Sequence, residues 1–171
     1  LLDWKERWID GGRERFPYTP SVQDVHGVAA ACDDLLDLGL ETSIATHERA
    51  ARACRAGVTG MGLELWPRSE EIAATCVTAV ATPPGVDHGE LLAHIRERYG
   101  VMLSGGYGEL LDKLIRIGHM GLTAQSLNPV VGIAALGRGL ADLGVGVQIG
   151  AGVDAALEVL AEPLEAPVAS R

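Results

Sequence analysis

The sequence predicts an α+β fold, a small, mostly antiparallel sheet of about four strands covered by helices. Three observations predict it. Long segments carry apolar residues at three-and-four spacing, short β-branched segments stand between Gly/Pro turns, and the two kinds do not alternate as regular βαβ units. At 171 residues and 47% hydrophobic content, the chain has the length and composition of one globular domain with a core. No internal repeat is visible.

After an aromatic and charged lead-in, Trp4 to Trp8, and a turn at Gly11-Gly12, the first helix is expected at Thr19-Pro20, with threonine at the N-cap and proline at N1. It runs to about Leu38 and ends at Gly39. Val22, Val25, Val28, Ala29, Cys32, Leu35 and Leu36 share one face, which is expected to be buried. A second helix, from about Glu41 to Gly60, places Ile44, Ala51, Cys54, Val58 and Met61 on one stripe and Glu48, Arg49, Arg52 and Arg55 largely outside it. Gly62 to Trp66 alternates like a half-buried strand, and Thr75 to Val80 reads as its partner, closed by Pro83-Pro84-Gly85.

Asp87, followed three residues later by Glu90, forms the pattern of a capping box and opens a third helix with Leu91, Leu92, Ile95 and Tyr99 inward. Gly100 stops it. Two more strands follow, Val101 to Ser104 and Leu114 to His119. Asn128-Pro129 starts a fourth helix that brings Val130, Val131, Ala134, Leu140 and Leu143 near one another. Gly144-Val145-Gly146, with Gly150 and Gly152, has the look of a dinucleotide loop, but it follows a helix and lacks a βαβ setting, so no nucleotide role is assigned. Pro163 to Arg171 is Pro/Ala-rich and is expected to fray.

A formal charge of −9 argues against nucleic-acid and anionic-membrane partners, since both require a basic face. The longest apolar stretch, Val130 to Val147, is interrupted by Arg138 and Asp142, short of the roughly 20 apolar residues a membrane-crossing helix needs. Cys32, Cys54 and Cys76 form no CxxC and read as packed thiols, and the five histidines show no metal-ligand spacing. These features predict a soluble protein of the reducing cytoplasm. The opening Leu1-Leu2-Asp3 has neither an initiator methionine nor the order of a secretory signal, and reads as a fragment or a processed chain.

The most informative segment is Leu114-Ile115-Arg116-Ile117-Gly118-His119-Met120-Gly121. Strand alternation turns Arg116 to the face opposite Ile115 and Ile117 and puts His119 on the Ile117 face, where packing is its expected role. A guanidinium is planar, always charged and able to bind a carboxylate at two points, which a lysine cannot do. Upstream, Ser104-Gly105-Gly106-Tyr107-Gly108 lets another backbone or a ligand come close. Arg116 is therefore a candidate carboxylate ligand, with a solvated edge-strand arginine as the plainer alternative.

These residues resemble the class V pyridoxal-phosphate aminotransferases, whose small domain carries a glycine-rich loop followed by a strand close to RIGHMG. The resemblance spans almost the whole chain. It includes Asp3-Trp4-Lys5, Phe16-Pro17-Tyr18-Thr19-Pro20-Ser21-Val22, Arg55-Ala56-Gly57-Val58, Met61-Gly62-Leu63 and Arg116 to Gln125, and is strongest to the pyridoxamine–pyruvate members, then to the alanine–glyoxylate and serine–pyruvate members. It implies the C-terminal small domain of a fold type I enzyme, with residues 1–20 as a connecting segment, 21–162 as the domain and 163–171 as a tail. It also implies that Arg116 holds a substrate carboxylate and that Thr19 contacts the cofactor phosphate of the neighbouring subunit in a homodimer.

The sequence departs from the family's pattern at three places. Phe16 stands where some relatives carry a phosphate-binding tyrosine, and a phenyl ring cannot donate a hydrogen bond. Tyr107 stands where the pyridoxamine–pyruvate members carry a second substrate-binding arginine; its hydroxyl can still donate one bond to a substrate. The only lysines, Lys5 and Lys113, lie outside the context of the Schiff-base lysine, so no catalytic residue is assigned within this chain. The resemblance implies pyridoxal phosphate as cofactor, or pyridoxal or pyridoxamine as substrate. Joined to a large domain, the chain would transfer an amino group between pyridoxamine or a small amino acid and a 2-oxo acid such as pyruvate or glyoxylate. The alternative is a non-catalytic module that binds a carboxylate ligand or a partner protein.

Overall fold

The computed structural model describes residues 3, 5–12, 19, 21–125 and 127–164. The chain divides into two compact units, Leu1–Leu40 and Glu41–Arg171. Phe16 and Pro20 lie outside the described residues, as does the expected tail from 165 onward.

The first unit contains a π-helical turn at Lys5–Ile9 and helix α1, Val22–Leu38. The helix begins two residues later than Thr19-Pro20 suggests. Ser21 occupies the N-cap in an extended conformation without a side-chain cap bond, and the first helical bond runs from Val25 N to Ser21 O (3.1 Å). Thr19 is thus not the cap. No residue of α1 is buried, and Val25, Val28 and Leu36 are more than 60% exposed, against the expectation that this face is covered. Periodicity fixes which residues share a face, but it does not supply the surface that covers them. Cys32 is exposed with this stripe and is not a packed thiol.

The second unit runs through helix α2 (Leu40–Gly60), strand β1 (Val77–Ala81), helix α3 (His88–Tyr99), strands β2 (Ser104–Gly105) and β3 (Leu114–Gly118), and helices α4 (Asn128–Asp142) and α5 (Ile149–Ala161). The sheet order is β1-β3-β2, antiparallel throughout. It has three strands rather than about four. The 62–66 segment contributes only the bridge Leu65↔Val80, with Trp66 N to Ala79 O and Ala81 N to Glu64 O both at 2.9 Å. Gly62 turns the chain at φ +82°, and Pro67, without an N–H, cannot extend the ladder.

Asp87 caps α3 as expected, its Oδ1 accepting from Glu90 N at 2.9 Å, and Gly100 ends the helix in a left-handed conformation. The core gathers Val58, Met61, Val80, Leu91, Ile95, Ile115, Ile117, Ile133, Leu136 and Leu140. Two of the expected inward positions point elsewhere: Ile44 and Val131 are exposed. Arg55, expected outside, is buried.

Helix α5 covers residues for which the sequence offered only a glycine-rich loop. Of those glycines, Gly152 lets two helices touch, as does Gly60 from the other side. A Cβ on Gly152 would stand 2.3 Å from Met61 Cγ and 2.6 Å from Gly57 O, and one on Gly60 would stand 2.9 Å from Ala151 O. Backbone-to-backbone approach of this kind between α2 and α5 excludes any side chain at these points.

Candidate functional site

Arg116 lies in β3 between Ala79 of β1 and Ser104 of β2. Alternation buries Ile115 and Ile117 on the opposite face, against Val80 and Thr78 respectively. The Arg116 side chain is half-buried, and its Nε donates to the Gly105 carbonyl at 2.7 Å. Among the described residues, neither Nη atom makes a hydrogen bond or an ion pair. A partly desolvated guanidinium without a carboxylate partner is an electrostatically unsatisfied group that an anionic ligand can complete.

The structure brings Gly105 to Arg116; it places Tyr107 differently. Tyr107 is 89% exposed and precedes a 3₁₀ turn, Gly108–Leu110, with no hydrogen bond or ring contact to Arg116. Thr19 belongs to the first unit, where it is exposed. Lys113 is exposed in the turn before β3, and Lys5 is exposed and paired to Asp10 at 2.7 Å. Among the described residues no group of three or more His, Cys, Asp or Glu side chains is arranged to hold a metal ion. No described helix is long and apolar enough to cross a membrane.

Behind Arg116, the inner face of the sheet carries a buried polar group. His119 is fully buried, and its Nε2 meets Thr78 Oγ1 at 2.9 Å. Burial pushes the imidazole down to about 4, with the nearby Arg55 cation adding to the effect and backbone bonds at His119 and Thr75 opposing it. His119 is therefore neutral near pH 7 and packs, as its place on the Ile117 face suggests. Burial pushes the Cys54 thiol up to about 12, against the lowering influence of Thr78 and Arg55, so it is inert as a nucleophile. Arg55 itself forms a two-point pair with Glu70, Nε to Oε1 at 3.0 Å and Nη2 to Oε2 at 2.7 Å.

A cleft of about 650 Å³ lined by Glu64, Trp66, Arg68, Ile72 and Ala81 does not include Arg116. Among the described residues, Arg116 instead keeps its Nη edge unpaired.

No protein-family profile matches the chain. It is 45% identical to pyridoxamine–pyruvate transaminase of Mesorhizobium japonicum over 161 residues, 94% of this chain and 40% of that protein. It is 37% identical to L-aspartate–glyoxylate aminotransferase of Paracoccus denitrificans over 158 residues, 92% of this chain and 40% of that one. The crystal structure of pyridoxamine–pyruvate aminotransferase from Mesorhizobium loti superposes with a TM-score of 0.83 at 45% identity, covering 94% of this chain and 40% of its own. The homologues are class V aminotransferases. The chain spans about 40% of the length of these curated relatives. Its fold matches the C-terminal domain of the fold type I aminotransferases, with three strands in the sheet.

Sequence reasoning located Arg116 but missed the group that grips it. The signal was present in the glycine pair at 105 and 106. A Cβ on Gly106 would stand 1.7 Å from Leu110 O, so the loop folds tightly on itself and brings its backbone carbonyls within reach of the neighbouring strand.

Proposed function

We propose that this chain is the substrate-carboxylate-binding part of an aminotransferase. That enzyme transfers an amino group between pyridoxamine or a small amino acid and a 2-oxo acid such as pyruvate or glyoxylate. One observation supports the reading above the others: a half-buried guanidinium, Arg116, has both Nη atoms without a partner among the described residues. It lies in a strand whose counterpart belongs to a family of 2-oxo acid enzymes. Arg116 binds the carboxylate, and in doing so orients the acid's C2 carbon for the chemistry.

Pyridoxal phosphate, when bound, supplies an electron sink at the amino-bearing carbon. The described residues do not hold that group by themselves, because Lys5 is paired to Asp10 and Lys113 is exposed in a turn. The lysine and the ring contacts are assigned to a large domain outside this chain, and no step through the cofactor is assigned to this chain. Thr19 is assigned to the phosphate across a homodimer interface, and Tyr107 to a single hydrogen bond with the substrate. Segment 1–20 connects to the large domain, and residues 21–162 form the small domain. Three free cysteines suit a cytoplasmic enzyme.

The test is Arg116→Ala in the full-length polypeptide. KM for pyruvate is expected to rise by about a hundredfold, the worth of a lost two-point charged pair, while binding of pyridoxamine changes little. Unchanged pyruvate kinetics would remove the assignment.

A further inference from the structure

A guanidinium offers a carboxylate two different two-point edges, one through Nε and an Nη and the other through the two Nη atoms. In Arg116 the first edge is engaged. Nε donates to the Gly105 carbonyl at 2.7 Å, short for an N–H···O bond and typical of one strengthened by charge, while Nη1 and Nη2 carry no partner among the described residues. The geometry points to the Gly105 carbonyl as a positioning group that fixes Arg116, so that a substrate carboxylate is taken end-on by Nη1 and Nη2. This rests on the carboxylate reading of Arg116 given above.

The carbonyl is itself held from several sides. Gly105 pairs with Ile115 across β2 and β3, and the peptide group that carries its carbonyl is locked by Gly106 N to Leu114 O at 3.0 Å. A Cβ on Gly105 would stand 3.1 Å from His88 Cδ2, at the start of α3, and 3.1 Å from Leu111 O. Gly105 thus fits between a helix start and a turn, where a side chain is accommodated only if a neighbour gives by a few tenths of an ångström. Displacing it by even a few tenths of an ångström would lengthen the bond to Arg116. Because the arginine is ordered before a ligand arrives, little rotamer entropy is lost on binding. The end-on edge has two equivalent donors, which suits a planar two-oxygen acid over a ligand with a single acceptor.

The experiment uses the full-length polypeptide and pyruvate as probe. In Gly105→Ala, KM for pyruvate is expected to rise about tenfold while KM for pyridoxamine stays within about twofold. Adding His88→Ala to that variant removes one of the two close contacts, and part of the loss is expected to be recovered. A purely structural defect would raise both KM values together and lower the melting temperature, whereas the positioning role moves the pyruvate value alone.

In the wild type labelled with ¹⁵N-arginine and ¹³C-glycine, a scalar coupling across the hydrogen bond from Arg116 Nε to the Gly105 carbonyl carbon is expected both before and after pyruvate is added. This readout needs no variant and therefore decides the matter even if Gly105→Ala fails to fold. Loss of the coupling on binding, with a new shift at Nε, would overturn end-on binding. If Arg116→Ala impairs pyruvate use and a folded Gly105→Ala does not, the positioning role fails alone. If Arg116→Ala has no effect, the carboxylate reading fails with it.

Discussion

Thr78 and His119 meet across β1 and the end of β3, Oγ1 to Nε2 at 2.9 Å, with both side chains shut off from solvent. The pair ties the inner face of the sheet together directly behind the strand that carries Arg116. The imidazole cannot take a proton there without stranding a charge in the core, and its ionisation is pushed from 6.5 down to about 4.

A pH dependence of stability follows from that shift. Between about pH 6.5 and about pH 4 the unfolded chain binds a proton at this site and the native protein does not. Stability from this residue is therefore fully present above 6.5 and is lost as pH falls. The slope is up to about 1.4 kcal/mol per pH unit, which sets an upper bound of roughly 3–4 kcal/mol over the whole window. Urea denaturation at pH 7 and pH 4.5 measures it. His119→Gln should flatten the difference between the two pH values; parallel losses in wild type and variant would contradict the account.

Thr78→Val keeps the shape and removes the hydroxyl, leaving His119 Nε2 buried without a partner. The expected cost is about 1–3 kcal/mol, and Thr78→Ser should restore most of it, since the hydroxyl and not the methyl group satisfies the ring. Thermal melts of the three proteins separate these outcomes. A Thr78→Val protein as stable as wild type would mean that the pair contributes no net stability.

Much of this fold was legible in residue order alone. Asp87 and Gly100 bracket α3 because a carboxylate at an N-cap and a glycine at a C-cap act locally, on backbone groups a few residues away. Arg116, Ile117 and His119 were sorted to their faces by alternation. What the sequence could not show depends on neighbours distant along the chain. Arg55 is buried because Glu70, fifteen residues on, reaches back to it. The 62–66 segment has the pattern of a strand, but only one bridge forms before Pro67. Gly150 and Gly152 suggested a loop, because glycine in a sequence marks either conformational freedom or close contact, and only the α2–α5 crossing shows close contact at Gly152 and open space at Gly150.

That crossing yields its own prediction. Gly152→Ala inserts a methyl group 2.3 Å from Met61 Cγ and 2.6 Å from Gly57 O, and the second of these is backbone that cannot rotate away. Forcing the helices apart is expected to cost about 1–3 kcal/mol. Gly150→Ala, where a Cβ meets nothing within 4 Å, serves as control and should be neutral or slightly stabilising through helix propensity. Equal melting temperatures for the two variants would show that the helices have room to separate.

Tyr107 distinguishes structural from functional roles in the glycine loop. At 89% exposure, with no side-chain hydrogen bond among the described residues, its ring contributes nothing that truncation could remove, so Tyr107→Ala should leave stability within about 0.5 kcal/mol of wild type. Its proposed contribution is one hydrogen bond to the substrate. In the full-length protein, Tyr107→Phe is then expected to raise KM for pyruvate about threefold to tenfold, the worth of a single neutral hydrogen bond. Tyr107→Arg supplies a second cation for the same carboxylate and should lower KM below the wild-type value. The comparison is informative because neither substitution disturbs packing, so a change in melting temperature cannot account for the kinetics. If pyruvate kinetics are the same with tyrosine, phenylalanine and arginine at this position, residue 107 lies outside the substrate's reach, and recognition of the acid falls to Arg116 within this domain.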